Sequence, residues 1–188
     1  MKKYWIAFVV VVAASFAVLG WTGIRIYQSA PPIPERVVTT DGRQLLGPGE
    51  VSAGQNVWQA LGGMQMGSVW GHGSYVAPDW TADWLHREAT FILDAWAHKE
   101  GLASFEAADP ERRAALTARL TTMMRTNAFD PGTGVLTIDP LRAQAFEANA
   151  AHHADVFRAG RDEYAIPRGA LTDPARLRAM STFFFWTS

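Results

Sequence analysis

"GQNVWQALGGMQMGSVWGHGSYVAPDWTADWLHRE", residues 54–88, sets the architecture of this chain of 188 residues. Its first third reads as a helix, with Val57, Trp58 and Leu61 on one face and Gly62-Gly63 as the stop. Its last third opens a second helix. In "DWTADWLHREATFILDAWAHKEG", residues 79–101, Trp80, Trp84, Ile92 and Trp96 recur at helical spacing, Leu85 and Phe91 lie beside them, and Gly101 ends the run. Between the two, "WGHGSYVAP" (70–78) alternates glycine with His72 and continues to Tyr75 and Pro78. That pattern suits neither regular helix nor strand. Glycine permits positive φ or close backbone approach, so a shaped loop is expected.

The polar residues of the second helix have plain structural readings. Asp79 stands where an N-cap is wanted. Asp83 and Arg87, four apart, read as a surface pair worth about 0.3 kcal/mol. His86 and Glu88 are two apart, so they face different ways and do not readily share an ion. His98, near the helix end, compensates the dipole.

Three further helices announce themselves by Asp109-Pro110, Asp139-Pro140 and Asp173-Pro174, each a capping carboxylate before a proline at the first helical position. The first carries Leu116, Leu120 and Met123-Met124 along one face. The second carries Leu141, Ala145, Phe146, Ala150, Val156 and Phe157, and stops at Gly160. His152-His153 lies within it and reads as a solvated pair with at most one ring turned inward. The third runs into Phe183-Phe184-Phe185-Trp186. Two hairpins complete the reading, "VVTTDGRQLLGPGE" (37–50) around Asp41-Gly42 and "NAFDPGTGVLTI" (127–138) around Pro131-Gly132. The expected class is mainly α with a small hairpin element.

The chain starts "MKKYWIAFVVVVAASFAVLGWTGIRIYQSAPP" and is uncharged from Tyr4 to Ile24. As a helix that run spans about 31 Å, close to the ~30 Å hydrocarbon core of a bilayer. A cleaved signal peptide is the competing reading, but its apolar core is only about 7–15 residues. Trp5 and Trp21 stand near opposite ends of the run, as interfacial anchors do. Lys2 and Lys3 favour a cytoplasmic N-terminus, although Arg25 and Arg36 reduce the asymmetry. Pro31, Pro32 and Pro34 break the helix. The aromatic end has two readings: a segment tucked into the core, or the first turns of a second transmembrane helix. The expected organisation is an anchor over 1–30, an outer domain over 31–178, and the start of that second helix over 179–188.

Composition narrows the chemistry. A net charge of -1 gives no basic footprint for nucleic acid. With no cysteine, disulfides, thiolate metal sites and a Cys-x-x-Cys-His haem attachment are all excluded. No Gly-x-Ser-x-Gly is present, which disfavours a serine hydrolase. The loop at 70–78 remains, and its backbone carbonyls and tyrosine oxygen are hard donors of the kind Ca²⁺ accepts.

The motif at 54–88, with the anchor before it and the closing "STFFFWTS", resembles the N-terminal portion of quinol-dependent nitric oxide reductases, members of the haem-copper oxidase superfamily. The resemblance implies a cytochrome c-like outer domain that has lost its haem, in agreement with the missing cysteines. It implies a parent enzyme that reduces two NO to N₂O and water. Electrons there pass from membrane quinol through haem b to a haem b3–non-haem iron centre. Those groups are held in later transmembrane helices, so no residue of this chain is expected to be catalytic or to bind a haem.

In relatives with a separate cytochrome subunit, a Gly-x-Tyr ahead of Ala-Pro helps hold a calcium ion where the two subunits meet. The matching positions are Gly73, through its carbonyl, and Tyr75. The remaining ligands would come from the bundle, so this chain alone is expected to bind Ca²⁺ weakly or not at all. The implied partners are membrane lipid, the catalytic bundle, and quinol through that bundle. The implied location is the bacterial inner membrane, with the outer domain periplasmic. A free-standing, membrane-tethered interaction or sensor module of the same fold is the alternative.

Overall fold

The computed structural model describes residues 2–188, in two units that divide after Pro32. The first is a single helix, α1, Lys2–Gln28, with no side chain buried. Its 27 residues are long and apolar enough to cross a membrane, judged by length and composition.

The second unit, Ile33–Ser188, holds a small sheet and five helices. In order they are β1 (Arg36–Thr39), β2 (Gln44–Leu46), α2 (Glu50–Ala60), α3 (Trp80–Lys99), α4 (Pro110–Arg125), β3 (Phe129–Asp130), β4 (Val135–Ile138), α5 (Pro140–Ala159) and α6 (Pro174–Thr187). Both expected hairpins form, β1–β2 and β3–β4. Their joining into one sheet, ordered β2-β1-β4-β3, was not expected. β1 runs parallel to β4, with Val37 opposite Leu136 and Thr39 opposite Ile138. This register turns Val37, Leu46 and Ile138 into the core.

The helix starts follow the sequence. The Asp109 carboxylate accepts from Arg112 N at 3.0 Å, Asp139 from Leu141 N at 2.7 Å, and Asp173 from Arg176 N at 2.8 Å. α3 is long enough to serve two hydrophobic clusters. Trp80 and Trp84 join Phe146, Phe157, Met180 and Phe183–Phe185 in one. Ile92 and Trp96 join Leu116, Leu120 and Leu141 in the other.

α2 lies against α6 more closely than the face Val57–Trp58–Leu61 predicts, because its buried residues are Val51, Gly54 and Trp58. A Cβ on Gly54 would lie 2.0 Å from the Ala179 carbonyl oxygen, so only glycine allows this approach. Thr182 Oγ1 donates to the Glu50 carbonyl at 2.9 Å across the same contact. Phe183, Phe184 and Phe185 are all buried, so the aromatic run presents no exposed sticky end within this unit.

Candidate functional site

The loop after α2 is fastened at its base by indoles. Trp58 Nε1 donates to the Gly67 carbonyl at 3.3 Å, and Trp80 Nε1 donates to the Met66 carbonyl at 2.9 Å. Gly67 sits so tightly on Trp80 that a Cβ there would meet the indole nitrogen at 2.1 Å. Ser68 N to the Pro78 carbonyl (3.2 Å) and Trp80 N to the Ser68 carbonyl (2.8 Å) draw the two ends of the loop together.

Asp79 does more than cap α3. Its Oδ1 accepts from Ala82 N at 3.1 Å, while Oδ2 accepts from Ser68 Oγ and Gly71 N, both at 2.7 Å. Burial works against ionisation of this carboxyl, but the bonds from Ser68 and from backbone N–H groups outweigh it and hold its pKa below the ordinary value. One side chain therefore starts a helix and clamps a loop.

Trp70 carries the loop towards the end of α6. Its backbone is left-handed, at φ 56, which costs a non-glycine residue about 1–2 kcal/mol. Two hydrogen bonds compensate, from Trp70 N to Thr81 Oγ1 at 3.1 Å and from Trp70 Nε1 to the Thr187 carbonyl at 3.0 Å. The ring also meets Trp186 edge-on at 5.5 Å.

Past Gly71, His72 N still donates to the Val69 carbonyl at 3.4 Å. Gly73 adopts φ 79 with open space around it, and the Tyr75 side chain is fully exposed. The two line one shallow cleft of about 370 Å³ together with Met64, Gln65 and Ser74. The structure thus brings the two expected metal-site residues to one exposed place. They offer two neutral oxygens, whereas Ca²⁺ takes six to eight oxygens, usually with carboxylates among them. The loop's own carboxylate, Asp79, is already committed to three donors. Among the described residues no cluster of three His, Cys, Asp or Glu could hold a metal.

Behind the loop lies a polar network that the sequence pattern did not announce. Glu88 is fully buried, accepting from Arg142 Nε at 2.6 Å on one oxygen and from Trp84 Nε1 at 3.2 Å on the other. His153 is also fully buried; it is the one ring of the pair that the reading allowed to turn inward, so the pair as a whole is not solvated. Its ring stacks on Trp84 at 5.3 Å and 8°. Nδ1 lies 2.8 Å from the Asn149 carbonyl, which can only accept, so this nitrogen carries a hydrogen. Nε2 lies 3.2 Å from Asp83 Oδ2, off the line of a hydrogen bond.

Asp83 also takes Arg87 Nε at 2.8 Å, as the spacing predicted, yet its side chain is only 16% exposed. The pair is therefore not a plain surface pair. Burial pushes the Asp83 carboxyl up, but His153 and Arg87 overcome this and lower it to about 2. The signal for these residues was present. Glu88 lies four residues from both Trp84 and Ile92, and His153 lies four before Phe157, so both fall on buried stripes.

A family model for the cytochrome c-like domain of NorB, a component of nitric oxide reductase, matches residues 34–188. The chain belongs to this family. No curated protein matches it significantly. For a member of a cytochrome c-like family, this chain is a poor host for a c-type haem. It has no cysteine to attach one, and the ring nitrogens of its buried His153 face Asn149 and Asp83. At the centre of this nitric oxide reductase domain Trp80, Trp84, Phe146 and Phe184 are each completely buried.

Proposed function

We propose that this chain is the anchored, haem-free outer part of a quinol-dependent nitric oxide reductase of the haem-copper oxidase superfamily. In this reading α1 crosses the bacterial inner membrane with its N-terminus in the cytoplasm, and Ile33–Ser188 lies outside. The chain would continue beyond α6 into the bundle that holds haem b, haem b3 and the non-haem iron, where quinol delivers electrons and two NO become N₂O and water. No side chain described above performs that reduction. The outer unit's work is to pack over the bundle and close it from water.

One observation carries the packing role. Residues 51–78 contain no Asp, Glu, Lys or Arg. The large exposed apolar side chains of the outer unit are Met64, Trp70, Tyr75 and Val76 in that stretch, with Ile33 outside it. A monomer gains nothing from grouping such residues on one loop, whereas an interface does. Gly73 and Tyr75 on the same loop would then add their oxygens to a calcium site completed by the bundle.

The test is to express the locus as it stands, size the membrane-bound product, and measure quinol-driven NO consumption. The expected result is one polypeptide much longer than this chain and active with quinol. A stable product ending at Ser188, with no associated haem, would overturn the proposal in favour of a tethered interaction module.

A further inference from the structure

The part of the loop that stands out from the outer unit is short. Val69 and Ala77 are buried, and of the residues between them all but Ser74 are exposed. Its direction is set where it leaves the unit. Trp70 and Gly71 take consecutive left-handed angles, φ 56 and φ 73. Glycine enters that region freely, whereas a residue with a Cβ does so at a cost. Trp70 is one of two non-glycine residues with positive φ among the described residues, so its backbone has to be held there.

The hold comes from the first turn of α3. Thr81 Oγ1 accepts from Trp70 N at 3.1 Å, and Asp79 Oδ2 accepts from Gly71 N at 2.7 Å. The two acceptors differ in what else they do. Asp79 also caps α3 and takes Ser68 Oγ, so losing it disturbs the helix as well as the loop. Thr81 has no such second duty, and among the described residues its side chain makes no other hydrogen bond. Beyond the turn, the backbone N–H groups of Gly73, Ser74, Tyr75 and Val76 donate to nothing among the described residues. They are open to water or to a partner.

We infer that Thr81 is a positioning residue for docking. Its hydroxyl fixes the left-handed turn at Trp70 and Gly71, and so presents residues 73–76 to the membrane part of the reductase already in their bound shape. A loop set in advance loses less freedom on association than one its partner must order. The inference rests on the proposed reading that this loop packs on the bundle.

The experiment follows amide hydrogen exchange in two preparations, this chain in nanodiscs of neutral lipid and the complete reductase. Each is made as wild type, as Thr81→Val, which keeps the shape and loses the acceptor, and as Thr81→Ser, which keeps the acceptor. In the chain alone, Thr81→Val is expected to speed exchange at Trp70 and Gly71 about three- to tenfold, the worth of one hydrogen bond. Exchange at residues 84–88 in the core of α3 stays unchanged. In the complete reductase, wild-type amides 73–76 are expected to slow on assembly. Thr81→Val loses severalfold of that protection, and Thr81→Ser retains it. Wild-type amides 73–76 that exchange equally fast in both preparations would sink the packing reading and the inference with it. Protection that is present in wild type and survives Thr81→Val, or that Thr81→Ser loses as fully, would overturn the inference alone. Faster exchange at residues 84–88 in Thr81→Val would assign Thr81 to the fold itself and overturn it too.

Discussion

The centre of the outer unit and the loop at 67–79 draw on the same residue types and use them in opposite ways. In the centre, Trp80, Trp84 and His153 touch one another on several sides, with Trp80 5.5 Å from His153 and Trp84 stacked upon it. In the loop, Trp70 and Tyr75 stay exposed, and the side-chain hydrogen bonds come from Asp79, Trp70 and Thr81 at its base. An aromatic side chain in the first setting is tested by stability, and one in the second by association with something else. The contrast separates residues that make this fold from residues that make the fold useful.

The largest expected effect is at Trp84. Trp84→Ala removes the stack on His153 and a donor to Glu88, and should cost about 3–5 kcal/mol in chemical denaturation. A loss below about 1 kcal/mol, the ordinary range for a surface change, would break the comparison at once. Glu88→Ala should follow closely, at about 3 kcal/mol or more, because it strands Arg142 without its buried partner. Replacing Glu88 and Arg142 together by apolar residues should cost less than the single change.

The acid limb of stability sharpens the comparison further. Asp83 titrates at about 2, below its ordinary 3.8. A carboxyl depressed in the folded state contributes fully above its unfolded value and is lost as pH falls through the folded one. Stability should therefore decline between about pH 4 and pH 2, and Asp83→Asn should flatten that decline in pH-dependent denaturation.

On the loop side the effects shrink. Asp79→Ala should cost about 1–2 kcal/mol as a lost cap, and limited proteolysis should then cut faster within 67–79. Tyr75→Phe should change stability by less than about 0.5 kcal/mol. In the proposed full-length enzyme the same change should lower calcium retention, read by metal analysis of the purified protein. Unchanged calcium there would remove Tyr75 from the proposed site.

Much of the fold was legible from local chemistry. Asp-Pro pairs, terminal glycines and the Trp80–Trp84–Ile92–Trp96 spacing act within a few residues of themselves, so they mark helices before any tertiary contact exists. The irregularity of 70–78 was legible for the same reason. The burial of Glu88, and which ring of His152-His153 turns inward, follow from the apolar stripe running through them and not from the pairwise spacing of polar residues. Their partners, Arg142 and Asn149, lie 54 residues away and four residues away respectively, and only the first needed the tertiary fold to be found.

Sequence by itself determined the apolar N-terminal helix, the helix starts and stops, the two hairpins and the impossibility of a thioether-linked haem. Each follows from backbone preference, hydrophobic run length or the absence of a side chain. Tertiary structure decided that the hairpins fuse through a parallel β1–β4 pair and that Gly54 meets the Ala179 carbonyl where α2 packs on α6. It also decided that Asp79 clamps the loop which presents Gly73 and Tyr75. Those outcomes depend on which surfaces meet across long sequence separations, and no local pattern carries that information.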